Sequence, residues 1–437
     1  MGNKFLIITG ILLGVLVVVF GIRAVSDRTA QSEGALQKPS VLNSHPMPSD
    51  RQLQAALGTV ERAPADPKGY NLLCAAYIKK ARETGDFSFN LRAEAALNRS
   101  LELASPPNNY EGIKLKAMLL LAYHRFGEAL EVARRAQEMQ PDDPQNYGAI
   151  TDALVELGDY QKAFESAQTM MDLRPSTSSY SRVSYLRKLQ GDTAGAIEAM
   201  RAAVEAAGDK ETAAWCRVHL GDELMNAGNL AAAEHEYDAA LYTFPDYHLA
   251  LAAKARARLA ASDTDAAIEF YKQAQARVPL PEYAIALGDL YAERGLSEEA
   301  KRQYDLVEFI ERAGSNESRT YSRNIALFWA DHDMKLDEAL IVARRERELR
   351  SDIYTSDALA WCLYKNGQLA EAKAAMDEAL RLGTRDARLF YHAGMIYHGT
   401  GEHRKAAEYL KLALKINPSF DVRHASIARQ TLRAIAI

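Results

Sequence analysis

Small side chains recur through this sequence at a nearly constant interval. Ala129, Ala163, Ala196, Ala233, Ala267, Ala300, Ala339, Ala372 and Ala406 are separated by 33 to 39 residues, and a bulky residue follows four positions later at Met200, Tyr237, Tyr271, Tyr304, Met376 and Leu410. Prolines recur at the interval ends, at Pro141, Pro175, Pro245, Pro279 and Pro418. Within an interval, as in residues 146–175, an apolar pattern of helical period breaks once at a turn (Gly158-Asp159), resumes, and stops at the proline, which cannot continue a helix. Each unit therefore reads as two antiparallel helices, with alanine where their backbones come close. One such unit cannot bury its apolar face alone, so neighbours must stack. A chain of 437 residues would otherwise call for two or three separate cores.

The details of the pattern resemble the tetratricopeptide repeat family. From Ala387, the pair Ala393-Gly394, then Tyr397, Gly401, Ala406, Leu410, Ala413 and Pro418 follow that family's order, and Leu220-Gly221 and Leu287-Gly288 match its Leu-Gly pair outright. Departures are a mostly missing helix-opening tryptophan, with Trp215 displaced, and no closing proline in the frame near Thr320. The resemblance implies an all-α, right-handed α-solenoid of about ten helix-turn-helix repeats over residues 67–418. The first repeat is expected to carry an insertion around residues 83–89, and drift in spacing is expected to fall in loops at residues 208–210 and 314–316. Residues 49–66 and 419–437 read as capping helices, the first presenting Leu53, Leu57 and Val60 on one face. The stretches 363–367 (LYKNG) and 381–395 further resemble bacterial exported or membrane-anchored tetratricopeptide proteins without established activity.

Residues 5–22 carry no charge, and 18 residues of helix rise roughly 27 Å, enough to cross the hydrocarbon of a bilayer. After a four-residue tail, this span reads as a transmembrane signal anchor, with residues 23–48 as a flexible linker. Cleavage at Ala24-Val25-Ser26 would instead release a secreted body. The single apolar span at the N-terminus points to a membrane-bound, extracytoplasmic repeat body. Gly10 and Gly14 form a GxxxG through which two such helices could approach, so a homo-oligomer is one expectation.

Composition bounds the chemistry. With 53 basic against 58 acidic side chains, net −5, there is no electrostatic footprint for nucleic acid. Cys74, Cys216 and Cys362 lie far apart without CxxC spacing and read as buried reduced thiols. No phosphate-binding, nucleophile-elbow or HExxH motif occurs, so no catalytic residue and no cofactor is expected. Asp331-His332-Asp333 with Asp337 could present metal ligands, but reads as a solvated loop with an aspartate capping the next helix. His392, His398 and His403 read as scattered surface residues, their offsets not sharing one helical face.

In the family, positions 2, 5, 6, 9, 12 and 13 of each first helix face the concave surface. The resemblance therefore implies a gradient. Early units offer Gly148, Asp152, Ser181, Arg182, Tyr185 and Lys188, and late units offer Tyr321, Asn324, Phe328, Tyr354, Asp357, Trp361, Tyr364, Tyr391, His392, Met395 and His398. Aromatic side chains with polar tips supply large contact area at low entropic cost. The late set is the expected groove for a protein or peptide partner. The family's clamp for an acidic C-terminal carboxylate is not expected, because Met118 and Ala149 occupy its asparagine positions. The leading expectation is a non-catalytic, membrane-anchored scaffold. The alternatives are a self-associating component of a membrane assembly and a metal-dependent enzyme.

Overall fold

The computed structural model describes residues 48–105, 108–318 and 323–435. The anchor and linker expected over residues 5–48, with Gly10 and Gly14, lie outside the described residues except for Pro48, which opens the first helix. Among the described residues no helix is long and apolar enough to cross a membrane.

Twenty-two α-helices and no strand occur among the described residues. We number them α1 (Pro48–Arg62), α2 (Pro67–Thr84), α3 (Ser88–Leu103), α4 (Tyr110–Ala122), α5 (Phe126–Met139), α6 (Pro144–Glu156), α7 (Tyr160–Leu173), α8 (Thr177–Leu189), α9 (Thr193–Glu205), α10 (Lys210–Asn226), α11 (Leu230–Thr243), α12 (His248–Ala260), α13 (Thr264–Arg277), α14 (Pro281–Glu293), α15 (Ser297–Ser318), α16 (Arg323–Asp331), α17 (Leu336–Leu349), α18 (Ile353–Lys365), α19 (Leu369–Ala379), α20 (Ala387–Gly399), α21 (His403–Ile416) and α22 (His424–Ile435). They pack as ten successive hairpins, α2/α3 through α20/α21, flanked by α1 and α22.

Local chemistry sets the ends. Asp66, Asp143, Asp159, Asp192, Asp209, Asp263 and Asp386 cap helices by accepting backbone N–H bonds from the first turn. Proline opens α2, α6 and α14, where the missing N–H costs nothing. Two loop expectations fail. Residues 314–316 continue α15 as helix to Ser318, and α2 and α3 are joined by a short turn, the first hairpin's extra length being in helices of 18 and 16 residues.

Every alanine of the recurring set from Ala129 to Ala406 is buried. Gly221, Gly288 and Gly394 show why: a Cβ on them would stand 2.3 Å from Tyr237 Cε1, 2.4 Å from Tyr304 Cε1 and 2.6 Å from Leu410 Cγ. In these three hairpins a large side chain of the second helix is seated on a glycine of the first. Cys74, Cys216 and Cys362 are buried and free, and burial pushes the Cys74 and Cys216 thiols up to about 12. They pack as small apolar groups.

The stack also coils back onto itself. The turn between α6 and α7 meets the connection into α18: Ser351 donates its N–H to the Glu156 carbonyl at 2.8 Å, Ile353 donates to Tyr160 Oη at 2.8 Å, and Arg350 pairs with the Glu156 carboxylate at 3.1 Å. Thr384 donates its hydroxyl to the Leu189 carbonyl, and Gly85 lies against Val278. In all three places the partners are six hairpins apart. Six hairpins therefore complete one turn, and consecutive turns touch along a seam.

Candidate functional site

The first helices of the hairpins line the inner wall of this coil. Their charged side chains form a ladder from one hairpin to the next. Arg182 on α8 reaches Asp152 on α6 at 2.6 Å, Lys188 on α8 reaches Glu223 on α10 at 3.1 Å, and Arg256 on α12 reaches Asp222 on α10 at 2.7 Å. Arg323 on α16 reaches Asp352, the cap of α18, at 2.9 Å. The spacing is one repeat in each case, so regular stacking sets the rungs.

Two cavities open on this wall. One, of about 260 Å³, is lined by His124, Asp152, Glu156, Arg182, Tyr185 and Arg350 among others. Tyr185 is 40% exposed and yet sits deep in the coil, where loss of water raises its phenol pKa. Burial also raises the Glu156 carboxyl, assisted by Asp352, and brings the His124 imidazole down to about 4, assisted by Arg350 and Arg323. The second cavity, of about 210 Å³, is bordered by Arg256, Tyr271, Glu282, Asp289, Asn324 and Arg388 together with residues 417 and 419–422. Glu282 accepts from Asn324 at 2.8 Å, and burial raises its carboxyl pKa.

The late aromatic set divides. Asn324 and Tyr354 stand on the inner wall, half-buried, with the Arg323 guanidinium 5.8 Å from the Tyr354 ring. Phe328, Asp357, Trp361, Tyr391 and His392 do not face solvent. Trp361 stacks on His392 at 4.3 Å and donates its indole N–H to Asp331 at 2.8 Å, while His392 Nδ1 sits 2.9 Å from Asp357. Phe328 packs on Tyr304 at 5.6 Å and on His332 at 4.7 Å, whereas Trp361 and Tyr391 are covered in part by α22. Its His424 stacks on Tyr391 at 4.7 Å and lies edge-on to Trp361 at 6.0 Å, covering the concave face of the last hairpins. Tyr364 and Met395 are half-buried, and the Thr431 hydroxyl of α22 reaches the Met395 sulfur at 3.6 Å. His398 is half-buried at the end of α20, its Nδ1 3.3 Å from that of His403. Tyr321 lies outside the described residues.

Two polar clusters also differ from expectation. His392 is a core residue rather than a surface histidine. The Asp331-His332-Asp333 stretch is not a solvated loop: Asp331 is buried and binds Trp361 and Arg388, and His332 Nε2 sits 2.7 Å from Asp289. Asp333 pairs with Lys365. The donors thus serve three separate networks. Among the described residues no group of three or more His, Cys, Asp or Glu side chains is arranged to hold a metal ion.

Sequence reasoning missed Glu156, Asp222, Arg256, Glu282, Arg323, Arg350 and Asp352 on the inner wall. An acid and a base one repeat apart was the available signal.

The family model for the tetratricopeptide repeat matches residues 219–282 and 358–419, the stretches holding the Gly221–Tyr237 and Gly394–Leu410 contacts. The chain carries tetratricopeptide repeats. No curated protein sequence matches it. Solved structures similar to it include the Cut9-Hcn1 hetero-tetramer of the APC/C (12% identity, 88% of this chain and 92% of that chain, TM-score 0.39). Human IFIT1, as a dimer with PPP-AAAA, is another (13%, 84% and 94%, TM-score 0.45). A tetratricopeptide repeat protein from Parabacteroides merdae is a third (19%, 60% and 99%, TM-score 0.34). Tetratricopeptide repeats in general serve as non-catalytic scaffolds for protein–protein interaction.

Proposed function

We propose that this tetratricopeptide repeat protein is a membrane-anchored, extracytoplasmic scaffold that binds a segment of a partner protein on the inner wall of its coil. The observation that carries the reading is the charge ladder with Tyr185 and Tyr354 beside it. These groups are anchored to one another and still present accessible edges, and pre-ordered polar and aromatic groups lose little entropy on binding. A paired ladder also favours a polar segment of mixed charge over a uniformly charged polymer.

Proximity labelling in native cells, followed by capture with purified protein, tests the binding. Charge reversal in Arg182→Glu, which leaves two acids facing each other, and Tyr185→Ala are expected to reduce capture at least tenfold while the helical circular-dichroism signal stays the same. Unchanged capture by both variants would remove the inner wall from the reading. The anchor rests on the sequence of residues 5–22 alone. Membrane fractionation of the full chain against a chain beginning at Asp27 tests it, with recovery of both in the soluble fraction as the contrary result.

A further inference from the structure

The link between α21 and α22 does not run outward from the last hairpin. It turns in over the concave ends of α12, α14 and α16, and consecutive side chains meet different receivers there. Phe420 lies 5.5 Å from the Tyr391 ring. Asp421 stands 3.9 Å from Arg388, and His424 and Arg388 hold its carboxyl well below the usual range against the opposing effect of burial. Val422 packs on the apolar cluster of Leu251, Tyr271 and Leu287. Arg423 comes near enough to the Tyr304 phenol to oppose the rise that burial and Asp289 give its pKa, and the Tyr304 O–H goes to Asp289 at 2.8 Å. Residues 417 and 419–422 form one side of the 210 Å³ cavity, and Glu282, Ile285, Ala286 and Asp289 on the other side are positions 2, 5, 6 and 9 of α14, the family's concave positions.

This arrangement is a short segment seated in a groove. Its local fold is held by Asp421, which accepts the N–H groups of Arg423 at 3.0 Å and His424 at 2.9 Å. Its grip is partial: residues 419–423 are all half-buried. Arg388 donates to Asp331 through one Nη, while its buried Nε has no acceptor in reach. A carboxylate placed side-on to that guanidinium would take both donors, a geometry Arg favours and Asp421 at 3.9 Å does not attain. The segment and α22 belong to none of the ten hairpins of a stack stabilised by nearest neighbours, so they can lift without breaking a hairpin.

We propose that residues 417–423 are an internal occupant of the groove formed by α12, α14 and α16, and that this groove binds a partner segment of the same chemistry. That chemistry is an aromatic residue followed by an acid, an apolar residue and a base, the acid directed to Arg388 and the base to the Tyr304–Asp289 side. This rests on the reading that the inner wall binds a protein segment, and names where and what. A groove held closed by its own chain has its apparent affinity reduced by the closed-to-open ratio, so the C-terminal link sets the threshold for capture.

The probe is a fluorescein-labelled peptide with the sequence of residues 416–424, titrated against the full chain by fluorescence anisotropy. The Phe420→Ala/Val422→Ser chain, whose own segment is loosened, is expected to bind it at least tenfold more tightly than the natural chain. Arg388→Gln added to that chain should return the affinity to the natural level, and a peptide carrying Asp421→Lys should bind neither. Equal affinity for the loosened and natural chains, with helicity and size unchanged, overturns the proposal. A second measurement does not depend on the variants' folding. Saturating peptide on the natural chain should speed hydrogen exchange across residues 424–435 and slow it across residues 281–293, and the absence of both changes also overturns it. If these fail while Arg182→Glu still abolishes capture of cellular partners, only this inference falls and the inner-wall reading stands.

Discussion

Glycine inside a helix costs about 1 kcal/mol relative to alanine, so Gly221, Gly288 and Gly394 have to be repaid by packing. The repayment is the ring of Tyr237 or Tyr304, or the branch of Leu410, set where a Cβ would go. Gly288→Ala is expected to destabilise by about 1–3 kcal/mol, the usual range for overpacking, despite its higher helix propensity. Denaturant titration checks this, and the added variant Tyr304→Leu should recover part of the loss. A second residue-scale expectation concerns pH. Burial lowers the His248 imidazole to about 4, and that of His124 also to about 4, from an ordinary value near 6.5. Between those values the unfolded chain binds protons that the folded chain does not. Stability from these residues is therefore complete above pH 6.5 and is lost as pH falls towards 4, by up to about 3 kcal/mol for His248. Thermal melts between pH 7 and pH 4.5 should show the fall, and His248→Gln should flatten it while lowering the neutral-pH melting temperature through loss of the Tyr283 bond. The Ala and Gly-to-bulky spacing was legible in sequence because both partners lie in one hairpin. The burial of Trp361, Tyr391 and His392 was not, because it depends on where α22 comes to rest.

At the scale of elements, the turns inside hairpins are chemically alike and mechanically different. Gly158 and Gly295 both hold positive φ, 76° and 74°, which favours glycine over any residue with a Cβ. A Cβ at Gly295 would meet nothing within 4 Å, whereas one at Gly158 would meet the Ser351 carbonyl oxygen at 2.5 Å. Gly295→Ala should cost about 1 kcal/mol for backbone conformation alone. Gly158→Ala should cost more and should also enlarge the radius of gyration in solution scattering, because the seam must part. Equal effects of the two would argue against contact between turns of the coil. Helix number and hairpin pairing follow from local periodicity and are readable from the sequence. The seam is not, since it is the sum of small rotations between hairpins that no single repeat encodes.

For the repeat body as a whole, the seam changes what kind of solenoid this is. An open stack is stabilised by each repeat and its nearest neighbours, and it frays from its ends. Here the third hairpin also holds the ninth, through Glu156, Tyr160, Arg350 and Ile353. Urea unfolding followed by circular dichroism is expected to give one steep transition for the natural chain and a broader one, of lower slope, for Gly158→Val, whose side chain cannot fit the seam. Of the late aromatic set, Phe328, Trp361 and Tyr391 are buried, while the ladder with its accessible groups runs from the third hairpin to the ninth.

The same seam constrains the order in which the molecule can be made. Its hydrogen bonds join residues 193 to 223 positions apart, while a hairpin closes over a few tens of residues. Ordering so long a loop carries a large entropic cost before any contact rewards it. Hairpins should therefore form as they emerge during synthesis, and the hydrogen-bonded part of the seam should close only once the ninth has been added. Until then the edge around Glu156 and Tyr160 waits exposed, and in that interval an unfinished chain is most open to pairing with a neighbouring copy.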